Sequence, residues 1–245
     1  MKIIAIIPAR MGSSRFPGKP MAEINNKPMI GHVYDRVCKN KYLTKTVVAT
    51  CDEIIFDYIN SIGGQAVMTR KSHERASDRC AEALAFLEDQ DKIKYDIVVM
   101  VQGDEPMTHP NMISEAVNPM IEDSNILVVN LVANILSIDE FNDKNCIKVV
   151  CDRDENALYF SREAIPTRTK INNSPMRKQV CIIPFRRDFL YKYIKLEETP
   201  LEIAESVDMM RILEHGYKVK MVPTKYKTYA VDTREDLEKV EALMD

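Results

Sequence analysis

The sequence predicts an α/β fold: a mostly parallel sheet with helices on both faces and an inserted, antiparallel β-rich lobe. Three observations lead there. Short apolar runs alternate with amphipathic helical patterns through the first half of the chain. One of those runs, Asp96 to Val101, is apolar on both sides of the strand, as strands buried between helices are. After residue 126 the rhythm changes, and strand-like runs follow one another with little helix between them.

In order, residues 2–8 read as a strand. Pro28 opens a helix, and Met29, Val33 and Val37 recur on one of its faces. Residues 46–50 are a strand, and 53–62 a helix stopped by Gly63 and Gly64. A short strand over 65–68 precedes an amphipathic helix over 77–89. The strand at 96–101 leads to a helix from Pro110 to about Glu122. Strands are then expected at 126–134, 146–151 and 178–185, with Pro184 interrupting the last. Between them, 167–178 is a polar, basic loop in which Arg168, Lys170 and Arg177 read as solvated. Helices at 187–195 and 203–214, a strand at 217–223 and a helix at 233–243 complete the chain. Met209 and Met210 read as core filler. No linker composition or internal repeat divides the 245 residues, so one domain (1–245) with a β-rich insert at about 140–190 is expected.

Lys and Arg number 34 against 37 Asp and Glu, a net charge of −3, so no basic field points to nucleic acid or to an anionic membrane. No apolar run reaches the roughly 20 residues a bilayer span needs. The six cysteines are scattered, without C-x-x-C or zinc spacing, and read as thiols of a reducing compartment. A cytoplasmic location is expected.

Three segments carry chemistry. The first strand runs into IIPARMGSSRFPGKP, a loop with Arg10, Arg15, Lys19 and two serines. Backbone N–H groups and hydroxyls can line a polyphosphate there while the cations neutralise it. It is neither a Walker A loop nor G-x-G-x-x-G. The second segment is Val101-Gln102-Gly103-Asp104-Glu105-Pro106, a carboxylate at the carboxyl end of an apolar strand, where ligands of open α/β sheets bind. Its alternative reading is an ordinary turn. The third is Val231-Asp232-Thr233-Arg234-Glu235-Asp236. Thr233 and Asp236 have capping-box spacing, so helix initiation competes with a metal-binding role for Asp232. Periodicity does not bring Asp104 and Asp232 together. Of the histidines, His32 reads as structural, and His73 as surface or nucleotide-proximal.

IIPAR-x-x-S-x-R-x-PGKP, MTR, VQGDEP, ALYFSR-x-x-IP and VDT-x-EDLE-x-V, in this order, resemble the 3-deoxy-manno-octulosonate cytidylyltransferase (CMP-Kdo synthetase) family from Ile3 to Val240. The resemblance implies a Rossmann-like fold of nucleotidyltransferase type and a homodimer. It implies that the anomeric hydroxyl of an acidic keto-sugar attacks the α-phosphorus of CTP. Arg10, Ser13, Ser14, Arg15 and Lys19 would hold the triphosphate, with Ala9 and Gly103 in the same nucleotide site. Met68, Thr69, Arg70 and Ser77 would lie by the cytosine. Gln102 would touch nucleotide or sugar, and Asp104 and Asp232 would ligate Mg²⁺. Arg10, Lys19, Asp104 and Asp232 form the implied catalytic set. Arg162 would face the sugar acid or the dimer partner.

The sugar half departs from the family pattern. S-G-T-E-R is replaced by Ala76-Ser77-Asp78-Arg79 after Glu74-Arg75. H-x-G-x-Y-x-[YF]-R has become Gln179, Cys181, Ile183, Phe185 and Arg186, and L-E-Q-L-R has become Val207-Asp208-Met209-Met210-Arg211. Gln179 and Asp208 are therefore the expected acceptor-binding positions of an altered pocket. The acceptor is expected to be Kdo or a related acid such as 8-amino-Kdo, with other keto-sugar acids or a phosphonate as alternatives. A nucleotide-binding protein without activity is the competing class, and the retained Arg10, Arg15, Lys19, Asp104 and Asp232 argue against it.

Overall fold

The computed structural model describes residues 1–12, 15–170 and 175–244. In chain order the elements are β1 (Ile3–Ala9), a 3₁₀ turn (Lys19–Met21), β2 (Glu23–Ile24), β3 (Lys27–Pro28), α1 (Met29–Cys38), β4 (Lys45–Thr50), α2 (Glu53–Ser61), β5 (Ala66–Met68) and α3 (Ala76–Asp91). Then come β6 (Ile97–Val101), α4 (Pro110–Glu122), β7 (Val129–Asn134), α5 (Ile138–Asn142), β8 (Lys148–Cys151), β9 (Ala157–Ser161), β10 (Arg177–Val180) and β11 (Ile182–Arg186). The chain ends with α6 (Arg187–Tyr193), α7 (Pro200–Glu205), α8 (Met209–Glu214), β12 (Lys220–Pro223) and α9 (Arg234–Met244).

Two five-stranded sheets organise these elements, in the orders β11-β6-β1-β4-β5 and β12-β7-β10-β8-β9. In the first, β5, β4, β1 and β6 are parallel and β11 is antiparallel to β6. The second is antiparallel apart from β12 beside β7. β1 shows why its run is unbroken. Ile4 and Ile6 enter one buried cluster with Leu84 and Met100, while Ile3, Ala5 and Ile7 enter another with Val99 and Ile113. A strand covered on both faces has no solvent side to make polar. Each fully buried Ile contributes roughly 1.5–3 kcal/mol. No helix among the described residues is long and apolar enough to cross a membrane.

Several boundaries differ from the sequence expectations. The strand expected over 178–185 divides at Cys181: β10 pairs with β7 and β11 with β6. The chain thus changes sheets there, and β11, expected in the insert, belongs to the first sheet, while β7 and β12 join the second. Pro184 lies inside β11, opposite Val99. Proline is tolerated in an edge strand, where its missing N–H costs no ladder bond. The helix expected over 203–214 is two helices, separated at Ser206 with φ 52°. Arg177 is not solvated loop: it opens β10 and pairs with Glu155 at 2.6 Å. The strand β9 and the helix α5 were not expected, since neither has a long periodic pattern.

A small third cluster stands apart from the two cores. It joins Phe16 and Ile24 near the first loop to Val231 and Val240 of the C-terminal segment. Segments more than 200 residues apart in sequence are packed together by it.

Candidate active site

Because β1 and β6 are parallel neighbours, with Ile6 opposite Met100, their carboxyl ends open on the same edge. The basic loop after β1 and Gln102-Gly103-Asp104 after β6 therefore meet. The loop is shaped locally. Gly18 has φ +79°, which glycine adopts without strain, and its N–H donates to Met11 O at 3.0 Å. Met11 N–H donates in turn to the Asp52 carboxylate at 2.8 Å, beyond the end of β4. Gly103 packs closely: a Cβ would come 3.1 Å from Ile30 Cδ1, so a larger residue would make that side chain shift.

The third segment closes onto these two. Lys19 Nζ lies 3.2 Å from Asp104 Oδ2 and 3.5 Å from Asp232 Oδ1, and donates to Val231 O at 2.7 Å. Val231 N–H donates to Asp104 O at 2.9 Å. Arg15 reaches Asp232 at 2.9 Å and also bonds the Asn145 side chain of the β-rich lobe. Thr233 and Asp236 do cap α9, as the spacing predicts: Asp236 N–H donates to Thr233 Oγ1, and Asp236 Oδ2 accepts from the N–H groups of Asp232 and Thr233. Capping and site formation thus coexist: the cap sets the helix start and presents Asp232 beside Asp104. Two carboxylates converging on one ammonium group form a donor set of hard oxygens, which suits Mg²⁺ bound through one or two carboxylates and substrate phosphates.

A cavity of about 760 Å³ extends from this cluster into the β-rich lobe. Arg10, Arg15, Gln102, Asp104 and Asp232 line one side, and Arg162, Gln179, Cys181 and Asp208 the other. A second cavity of about 450 Å³ lies against Ala9, Arg10, Lys19, His73, Arg79 and Gly103. Arg75, Gln102 and Asp104 border both.

The residues expected to meet the acceptor are held by networks. Asn130 Nδ2 donates to Leu131 O and Val180 O, so its Oδ1 accepts from Gln179 Nε2 at 2.6 Å. Among the described residues nothing bonds the Gln179 amide oxygen. Arg162 is committed to main-chain carbonyls, those of Glu205 at 2.6 Å, Lys144 at 3.0 Å and Ser206 at 3.2 Å. It fastens the end of β9 to α7 while lining the cavity. Asp208 pairs with Arg75 at 2.8 Å, and burial raises its carboxyl from its ordinary value.

Ser13 and Ser14 lie outside the described residues. Met68, Thr69, Arg70 and Ser77 line neither cavity. Thr69 is buried and its hydroxyl donates to Thr50 O. Arg70 turns outward to Glu82 at 3.0 Å. His32 is structural, with Nε2 2.8 Å from Ile24 O. Met209 and Met210 are buried.

Three residues of the site, Arg79, Glu105 and Arg75, were given no role by the sequence reading, and His73 takes the nearer of its two expected places. Arg79 is buried, bonds the Thr69 hydroxyl and donates to His73 O at 3.2 Å, so it holds the 69–73 turn against the smaller cavity. His73 borders that cavity and bonds Glu82 at 2.5 Å. Glu105 is buried on the larger cavity, and burial with the adjacent Asp104 charge pushes it up to about 7. Arg75 is the third of the three. Its only signal was membership of the altered stretch before α3.

The family model described as cytidylyltransferase matches residues 4–222. A 3-deoxy-manno-octulosonate cytidylyltransferase of Geotalea daltonii is 44% identical, with 98% of this chain and 97% of the relative covered. One of Geobacter metallireducens is 42% identical over 98% of this chain and 96% of its own length. Among solved structures, a CMP:2-keto-3-deoxy-manno-octonic acid synthetase complexed with CTP superposes with TM-score 0.90 at 38% identity, covering 100% of this chain and 98% of that one. A cytidylyltransferase of Leptospira borgpetersenii, 21% identical with TM-score 0.63, shares the fold. With its full-length match to these enzymes and its three motifs gathered at one sheet edge, the chain belongs to the cytidylyltransferase family, in its 3-deoxy-manno-octulosonate branch.

Proposed function

We propose that this chain transfers CMP from CTP to the anomeric hydroxyl of Kdo or a Kdo-like acidic sugar, in the cytoplasm, and releases pyrophosphate. The carrying observation is the convergence of Asp104 and Asp232 on Lys19 at the mouth of the larger cavity. In the reaction the anomeric oxygen forms a bond to the α-phosphorus, the bond from that phosphorus to the β-phosphate bridge breaks, and the hydroxyl proton passes to solvent. Arg10, Arg15 and Lys19 neutralise the triphosphate, with Ser13 and Ser14 assigned to the same loop. Ala9 and Gly103 let the nucleotide approach the sheet edge closely. Met68, Thr69, Arg70 and Ser77 are assigned to the cytosine, beside the turn over 69–73 that Arg79 holds. Gln102 stands between the two substrates. Arg162, Gln179 and Asp208 form the acceptor wall. Asp104 and Asp232 would hold Mg²⁺, which when bound supplies charge neutralisation and a lowered pKa for the attacking hydroxyl. Nucleotidyl transfer relies mainly on such positioning and electrostatics.

One observation favours an amino-substituted acid over plain Kdo. The Asn130 network leaves Gln179 offering an oxygen, and Asp208 adds a carboxylate on the same wall. Two acceptor groups suit an ammonium donor such as that of 8-amino-Kdo. Assembly as a homodimer through the β-rich lobe belongs to the same reading, supported by Leu136 and Leu158, exposed by 77% and 61%.

Pyrophosphate release is measured with CTP, Mg²⁺ and either Kdo or 8-amino-Kdo. The expected result is release that depends on both CTP and the acid. Equal rates with ATP, GTP or UTP would sink the cytidine assignment, and a preference for plain Kdo would remove the amino-acid-sugar reading. Sedimentation of the intact chain is expected to give twice the monomer mass.

A further inference from the structure

Arg75 stands on the wall common to both cavities, in the stretch where this chain departs from its family's pattern. Its guanidinium meets three carboxylates: Glu198 at 2.6 Å, Glu202 at 2.7 Å and Asp208 at 2.8 Å. These acids are not equally dependent on it. Glu202 is fully buried and is also gripped by both ends of the Arg211 fork, at 2.7 and 2.8 Å. Glu198 has Arg211 as a second cation at 3.7 Å. Asp208 has Arg75 alone within ion-pair distance among the described residues. The main chain at Asp208 is fixed independently, since Tyr193 Oη donates to its carbonyl at 3.0 Å. What Arg75 governs is therefore the direction and charge of the Asp208 side chain, which is 28% accessible and faces the larger cavity.

Charge makes this consequential. Besides Arg75 and Asp208, the larger cavity carries seven acids, Glu74, Glu105, Glu140, Asp143 and Asp236 with Asp104 and Asp232, against five cations, Arg10, Arg15, Arg162, Lys178 and Lys239, so acids are already in excess. An acceptor that is itself an acid must enter this lining. A further uncompensated carboxylate would repel it, and in a partly desolvated site that repulsion is weakly screened. We propose that Arg75 is a positioning residue for the acceptor: it aims Asp208 into the cavity and cancels its charge, so that an anionic sugar can bind beside it. This rests on the function proposed above. Arg75 is spent on the three acids and is not free for the triphosphate, so nucleotide binding does not depend on it.

The experiment is steady-state kinetics of pyrophosphate release by the full chain, with Kdo or 8-amino-Kdo varied at saturating CTP and the reverse. Arg75→Ser, Arg75→Lys, Asp208→Asn and the Ser/Asn double variant are compared, with thermal unfolding as the folding check. Arg75→Ser is expected to raise the acceptor KM roughly tenfold, with the KM for CTP within about twofold of wild type. The double variant is expected to be no worse than Arg75→Ser alone, because coupled residues are not additive. Arg75→Lys, which keeps the charge without the fork, is expected to recover part of the loss. If Arg75→Ser fails to fold, Arg75→Lys carries the same split with a smaller rise. An unchanged acceptor KM, an equal rise for CTP, or additive losses in the double variant overturns the proposal. A wild type without acid-stimulated release defeats the functional reading instead, and the inference with it.

Discussion

The two sides of the cavity, proposed for nucleotide and for acceptor, are built in different ways. On the nucleotide side, cations and carboxylates come from loops at strand ends and converge with little intervening structure: Lys19 touches Asp104, Asp232 and Val231 directly. On the acceptor side the lining residues are held at second hand. Gln179 is oriented by Asn130, Arg162 by backbone carbonyls, and Asp208 by an Arg75 that three acids share. Triphosphate and metal chemistry constrains residue type strictly, because only charged or hard-oxygen groups serve. Selecting one sugar acid depends on where hydrogen-bonding atoms point, and many residue types achieve that through a supporting layer.

This contrast can be broken experimentally, beginning with the largest effect. Asp104→Asn is expected to lower turnover by roughly 100-fold or more while the chain stays folded, as loss of a preorganised charged group does. Chelation of divalent ions with EDTA should reproduce that loss in the wild type, with recovery on added Mg²⁺; turnover that survives both treatments would refute the carboxylate pair. Lys19→Met is expected to raise the KM for CTP by about tenfold, since it removes a charge-assisted contact worth roughly 1.5–3 kcal/mol in a partly exposed site. Kinetics at varied CTP would expose an error if only the acceptor KM moved.

Gln179→His sharpens the other half. It replaces an amide oxygen with a ring that also donates, and is expected to shift the kcat/KM ratio of 8-amino-Kdo to Kdo toward Kdo by about tenfold. An unaltered ratio would show that the amide does not face the distinguishing substituent. The smallest effect concerns the third cluster. Val240→Ala deletes two methyl equivalents from the packing that joins both chain ends, and should cost about 1.5 kcal/mol in unfolding free energy. Denaturant titration checks the stability. A raised KM for CTP with an unchanged acceptor KM would show that this cluster serves the nucleotide side specifically.

Legibility followed physical cause. β1 and β6 were plain because both faces are buried, which leaves continuous apolar runs. The start of α9 was plain because Thr233 and Asp236 carry cap chemistry at fixed spacing. β9 was missed because its pattern is broken, with Leu158 exposed and Phe160 buried on an edge strand. The break at Ser206 was missed because a left-handed residue other than glycine has little sequence signature. Arg75 and Arg79 read as ordinary charges near a helix start, and only their buried partners show what they do.

The residues alone marked the basic loop as a polyphosphate candidate and Asp104 as a carboxylate at a strand end, because strand-end position and charge type are local properties; Asp232 stayed open between helix capping and a metal role. They could not place Asp232 beside Asp104, nor turn Gln179 toward its amide oxygen. Those outcomes depend on parallel pairing of β1 with β6, on the cluster that packs both chain ends together, and on Asn130 across the sheet. Each contact spans tens to hundreds of residues of sequence, and such contacts form only when the whole sheet edge is assembled.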